Sequence, residues 1–233
     1  MKHFTNRYIF IFSTVMVVIV ATVLSLAATL LKPKQEKNLE VEKKKSMLES
    51  INIPVDRKNA EELYSKYITE SFVINSKGDR KEGIDAFLVE MSAEQDKSLE
   101  EQSLPVFYAT VDDGQKVMIL PLEGKGLWGP LWGYIALLSD MNTVYGITFD
   151  HKGETPGLGA EINTTPFESQ FKGMRIFDDS SFVSIKVLKS NEKPIENHSV
   201  DAISGGTITS KGLEKMLFDC IIKYEDYLKK NAK

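Results

Sequence analysis

The stretch Asp201-Ala202-Ile203-Ser204-Gly205-Gly206-Thr207-Ile208-Thr209-Ser210 decides how this chain is read. Its adjacent glycines permit a positive φ and a close approach by something bulky. Ser204, Thr207, Thr209 and Ser210 surround that bend with hydroxyls, each able to cap a helix or hold an anion. Downstream, Leu213, Leu217, Cys220, Ile221, Tyr224 and Leu228 recur at helical spacing with Lys and Glu between them. The bend therefore sits at the mouth of a long amphipathic helix, where free N–H groups and the helix dipole favour a negative charge. The plainest reading is a helix N-cap after a glycine turn; the richer one is an anion site.

Composition bounds the alternatives. Of 233 residues, 42% are hydrophobic and 27% charged, a globular balance. A net charge of -4 with no basic face outside one short run argues against nucleic acid as a partner. Cys220 is the sole cysteine, which excludes an internal disulfide and a cysteine-cluster metal site, and its place on the apolar helix face marks a buried thiol. His3, His151 and His198 form no pairing motif, so no metal site is expected; His151 is expected to hydrogen-bond within its own loop.

Tyr8 to Leu31 carries no charge and only Ser13, Thr14, Thr22, Ser25 and Thr29 as polar groups. About 20 apolar residues cross a bilayer, so this segment reads as a retained single-span anchor rather than a signal peptide. Lys2 and Arg7 precede it while Lys32, Lys34 and Lys37 follow, a basic count that does not favour an internal N-terminus. The mixed charges from Gln35 to Ser50 read as a solvated helical stalk. The chain thus divides into a tail and anchor (1–31), a charged stalk or linker (32–58) and a domain (59–233).

Within that domain, Asn59-x-x-Glu62 suggests a capping box opening a helix with Leu63, Tyr67 and Ile68 on one side. Strands are expected at Phe72–Ile74, Val106–Val111, Lys116–Leu120, Gly133–Leu138, Val144–Phe149 and Phe182–Leu188, with Asp113-Gly114 as a hairpin turn and a short helix at Ser92. Hairpin-joined antiparallel strands with packed helices imply an α+β fold behind the membrane helix.

Two further stretches stand out. In His151-Lys152-Gly153-Glu154-Thr155-Pro156-Gly157-Leu158-Gly159-Ala160-Glu161, Pro156 extends Thr155, and two glycines flank Leu158 ahead of a helix start expected near Ala160. That puts one aliphatic side chain on a loop beside free N–H groups, suited to a flat ring system; the plainer alternative is a Pro-Gly turn. In Gly124-Lys125-Gly126-Leu127-Trp128-Gly129-Pro130-Leu131-Trp132-Gly133, two tryptophans sit on a Gly/Pro-rich loop, where they either stack or dock on something or fold back on the core.

Taken together these stretches resemble a known family. Asp201-x-x-Ser204-Gly205-Gly206-Thr207 is similar to the flavinylation motif Asp-x-x-Ser/Thr-Gly-Ala-Thr of membrane flavoproteins that carry FMN through a phosphoester to the last Thr, which here is Thr207; Gly206 stands where the family usually has Ala. Glu154-Thr155-Pro156-Gly157-Leu158-Gly159 matches the second hallmark of the same proteins. The Gly-Lys-Gly-Leu-Trp string resembles the C subunits of the sodium-translocating NADH:quinone oxidoreductases more than their paralogues, the G subunits of the Rnf complexes. The resemblance implies an electron-transfer component of a sodium-pumping translocase, not catalytic alone, with covalent FMN on Thr207. Asp201 and Ser204 would serve transferase recognition or phosphate positioning, and Lys211 would offset phosphate charge. Gly205, Gly206, Glu154, Thr155, Gly157, Leu158, Gly159 and Trp128 complete the implied cofactor site. Implied partners are a flavin transferase and the other members of a six-subunit complex, above all the membrane subunit with a second covalent FMN. The resemblance places the domain outside the bacterial cytoplasmic membrane. The competing expectations are an Rnf-type G subunit and a flavin-free anchored binding or scaffold domain.

Overall fold

The computed structural model describes residues 5–232; Lys2 and His3 lie outside them. The chain divides into two compact units between Lys43 and Lys44. Most of the first is helix α1 (Asn6–Ser50), whose residues from Tyr8 to Leu31 expose their side chains and whose length and apolarity suffice to cross a membrane. Thr14, Thr22 and Thr29 return their hydroxyls to the carbonyls of Phe10, Val18 and Ser25, so these polar side chains leave no donor unmet.

In the second unit, α2 (Ala60–Tyr67) is followed by β1 (Ile68–Ile74), β2 (Arg80–Lys81), α3 (Met91–Gln95), β3 (Leu104–Thr110), β4 (Lys116–Lys125), β5 (Pro130–Leu137) and β6 (Val144–His151). The six strands form one antiparallel sheet in the order β2-β1-β3-β4-β5-β6. Short elements follow: α4 (Thr165–Glu168), β7 (Phe177–Asp178), β8 (Ser181–Phe182), β9 (Lys186–Leu188) and β10 (Ser199–Asp201), with β9 and β10 parallel. The chain closes with α5 (Thr207–Ile221) and, after one 3-10 turn, α6 (Glu225–Asn231).

Both sheet faces are covered, which explains why its central strands read as nearly unbroken apolar runs. On one face Val106, Tyr108, Met118, Leu120, Leu122, Ile135 and Leu137 pack with Leu213, Met216, Leu217, Cys220 and Ile221 of α5. On the other, Phe107, Ala109, Val117, Ile119, Tyr134 and Ala136 pack with Met47 and Leu48 of α1 and with Tyr67 of α2. The α+β expectation and the Asp113-Gly114 hairpin are met, with Thr110 opposite Lys116.

Local expectations differ from the structure in three places. The Asn59 side chain does not cap α2; its Oδ1 accepts the Asp56 N–H at 2.8 Å, an Asx-type contact one turn upstream. Phe182–Leu188 is not one strand, because Ser184 takes φ 60° and splits it into β8 and β9. The stalk is helical, yet it is not solvated to its end: Met47, Leu48 and Ser50 are buried and belong to the second unit. A Cβ on Gly146 would strike the Ser50 carbonyl, so strand and helix end meet backbone to backbone there.

β6 ends the sheet, and Glu168 Oε1 accepts its Phe149 N–H at 2.7 Å. Burial, reinforced by Glu49 and Asp150 and opposed by that hydrogen bond, pushes the Glu168 carboxyl up from 4.5 to about 7. Between those values the native protein holds more protons than the unfolded chain, so stability falls as pH rises through the window. With solvent screening of the part-exposed group, thermal unfolding should show a loss of about 1–2 kcal/mol across it. Glu168→Gln should flatten that slope.

Candidate functional site

The Asp201–Ser210 stretch forms a turn followed directly by α5. Gly205 sits at φ 73°, a conformation costly for any residue with a Cβ. Gly206 is the N-cap of α5, and no side chain among the described residues caps the helix. Ser210 reaches back to accept the Ile203 N–H at 3.2 Å, while Thr209 donates to Glu154 at 2.5 Å. Two of the four hydroxyls are therefore buried and spent on holding the turn. The other two, on Ser204 and Thr207, are exposed. Thr207 is thus a solvent-facing hydroxyl on the first residue of an uncapped 15-residue helix, the place where free N–H groups and dipole favour an anion.

The Glu154–Gly159 loop packs directly onto this turn. The Thr155 carbonyl accepts from the N–H groups of Leu158 and Ala160, each at 3.1 Å, and Glu161 Oε1 accepts the Gly157 N–H at 2.9 Å. A 3-10 turn runs from Gly159 to Asn163, at the helix start expected near Ala160. Leu158 remains 41% exposed and lies against Gly205, where a Cβ would come 2.5 Å from its Cδ2. A Cβ on Gly159 would strike Thr209 Oγ1, and one on Gly206 would lie 3.3 Å from the Gly159 N. The two motifs meet through their glycines.

The third stretch supplies a wall. Gly126 donates to the Gly129 carbonyl at 2.8 Å, closing the β4–β5 turn and leaving Leu127 45% and Trp128 69% exposed. Trp132 lies instead within β5, half-buried and opposite Glu123 and Asp150. Trp128 does not fold back on the core. It is tied to the other two stretches through its N–H, which donates to Glu154 Oε1 at 2.9 Å. Ile208, next to Thr207 in the chain, is 59% exposed, so each of the three joined stretches presents an exposed apolar side chain.

Other anticipated residues are placed differently. Lys211 Nζ donates to Glu214 Oε2 at 3.1 Å and to the Val187 carbonyl at 3.3 Å, on the helix flank. Asp201 is exposed at the end of β10, its own N–H held by Gln170 Oε1 at 2.9 Å. Thr155 and Gly157 are exposed on the loop, whereas Glu154 is buried at 4% exposure with both oxygens accepting hydrogen bonds. His151 Nδ1 accepts the Glu154 N–H at 3.2 Å, the loop bond expected of it. Cys220 is buried, and burial pushes its thiol up to about 11, so it packs rather than reacts. The parts of two participants were not legible in the sequence. Ile208 looks like an ordinary helical residue, and the role of Thr209 depends on a partner 55 positions away.

Residues 126–222, from the Trp128 turn to just past the end of α5, match the FMN-binding domain family, so the α+β unit carries an FMN-binding domain. The Na(+)-translocating NADH-quinone reductase C subunit of Vibrio vulnificus is 35% identical over 208 residues, covering 82% of this chain and 81% of the relative. That of Haemophilus ducreyi is 32% identical over 211 residues, covering 84% and 82%. The crystal structure of the C subunit from Parabacteroides distasonis superposes with a TM-score of 0.78 at 45% identity, over 85% of this chain and 96% of that one. The chain belongs to the family of C subunits of the Na(+)-translocating NADH-quinone reductase, an oxidoreductase complex.

The glycine pair separates two costs. A Cβ on Gly206 meets the Ile203 side chain at 3.0 Å, a contact that a small shift relieves. Gly205→Ala adds backbone strain to its collision with Leu158 and should lower stability by about 1–3 kcal/mol. Gly206→Ala should cost about 1 kcal/mol, mainly a poorer N-cap. Thermal unfolding of both variants would show that order.

Proposed function

We propose that this chain relays electrons inside a sodium-pumping NADH-quinone reductase through FMN held by a phosphoester to Thr207. The observation that carries this reading is the exposed Thr207 hydroxyl at the uncapped start of α5, in a junction that also exposes Leu158, Trp128, Leu127 and Ile208. The residues present suit both ends of the cofactor. First-turn N–H groups of α5 would meet the phosphate, and the exposed apolar side chains would meet the ring system. Bound there, FMN would supply reversible electron transfer, the chemistry this chain's own side chains lack.

The protein's part is to hold and orient. A covalent tether retains the group at high effective concentration whatever the strength of the remaining contacts, so a redox edge can stay open to partners. Asp201 and Ser204 are both exposed, and their role would be recognition by a flavin transferase. Lys211 lies one turn along, engaged with Glu214, and would contribute only general positive charge. Electrons would pass to a second covalent FMN on the membrane subunit of a six-subunit complex and onward to quinone. The apolar helix α1 would anchor the chain by a single pass in the bacterial cytoplasmic membrane, with the domain on its outer side.

Thr207→Ala, produced with the transferase, should abolish the fluorescent band seen under ultraviolet light on a denaturing gel while leaving the unfolding transition nearly unchanged. Covalent FMN persisting in that variant would overturn the assignment. A wild-type Thr207 peptide with no added mass would overturn it equally.

A further inference from the structure

Among the described residues, Glu154 is the one buried carboxylate that joins all three stretches of the junction. Its own N–H is held by His151 Nδ1 at 3.2 Å, which fixes the loop end. Its Oε1 accepts the Trp128 N–H from the β4–β5 turn, and its Oε2 accepts the Thr209 hydroxyl from the first turn of α5. The space around it is cut to fit: Cβ atoms on Gly126 and Gly159 would lie 2.5 Å from Oε1 and 2.7 Å from Oε2. Thr209 is itself 2% exposed, so the Thr209 end of the bridge is shielded from water. Both oxygens accept from neutral donors, so the group acts by joining segments rather than by pairing charge.

We propose that Glu154 is a positioning residue that couples the Trp128 turn to the start of α5, so that the exposed indole and the Thr207 hydroxyl are held as one platform. Its purpose rests on the Thr207 reading, but the coupling itself exists in the protein without flavin. A hydrogen bond from each side makes the two segments interdependent: loosening either end frees the carboxylate to rotate away from the other. Gln at this position keeps the arrangement, since its carbonyl can accept from Trp128 and its amide can donate to Thr209 Oγ1. Ala removes both bonds and leaves a void.

Amide hydrogen exchange on the detergent-solubilised full chain, made without the transferase, tests this directly. Glu154→Ala should accelerate exchange at the Trp128 amide and across the peptide 204–210 by roughly tenfold or more, with the β4 core as internal reference. Glu154→Gln should stay within about threefold of wild type. Thr209→Val decides the matter: it preserves shape, deletes only the hydroxyl, and should speed exchange at the Trp128 amide on the far side of the bridge. An unchanged Trp128 amide in Thr209→Val overturns the coupling, as does an unchanged 204–210 peptide in Glu154→Ala. With the transferase present, covalent flavin yield should fall in Glu154→Ala and Thr209→Val and recover in Glu154→Gln. Wild-type protein without covalent flavin would sink the Thr207 reading yet leave the exchange result standing.

Discussion

The domain depends on how closely α5 can approach the β4–β5 hairpin and the loop after β6. At Gly212 a Cβ would strike the Lys125 carbonyl, and at Gly124 it would lie 2.6 Å from Met216 Cβ. These contacts leave no room for a side chain, so helix and hairpin pack at backbone distance along the first turns of α5. The apolar face of that helix, from Leu213 to Ile221, then packs into the core on one side of the sheet. Everything exposed at the junction is exposed because the structure beneath it is this tight.

That closeness creates a polar problem that Glu154 answers. Bringing two turns and a helix start together buries donors that water can no longer reach, and an unmet donor costs more than a typical hydrogen bond returns. A single carboxylate with two acceptor oxygens takes the Trp128 amide and the Thr209 hydroxyl together, while Ser210 takes the Ile203 amide. Polar satisfaction inside the junction thus leaves Ser204 and Thr207 as the hydroxyls still facing outward.

Much of this was legible in the sequence because it rests on local rules. The Asp113-Gly114 hairpin, the spacing of Leu213, Leu217 and Ile221, and the charge-free run from Tyr8 to Leu31 each follow from turn chemistry or periodicity. What escaped depends on a competing local contact or on distant partners. Asn59 and Glu62 have the residue types of a capping box, yet a nearby Asx contact to Asp56 takes the Asn59 side chain first. The mixed-charge end of α1 hides Met47 and Leu48, whose burial requires the sheet face opposite them. Glu154 and Thr209 carry no pattern that would pair them before the fold does, so Glu154 could be read from its motif only as one more residue lining a cofactor site.

The contrast between buried and exposed hydroxyls bears on why a phosphoester suits this position. A non-covalent nucleotide site encloses most of its ligand and gains affinity from that burial. Here the helix start is uncapped but open, and the apolar side chains of the joined stretches, Leu127, Trp128, Leu158 and Ile208, are each at least 41% exposed. An open platform of this kind gives orientation with little enclosure, so a ligand held only by these contacts would exchange with solvent. Under the proposed linkage, a covalent bond to the first residue of α5 would remove that requirement: the helix dipole would still steady the phosphate charge, and the surface that would otherwise close over the ligand would stay available for electron-transfer partners.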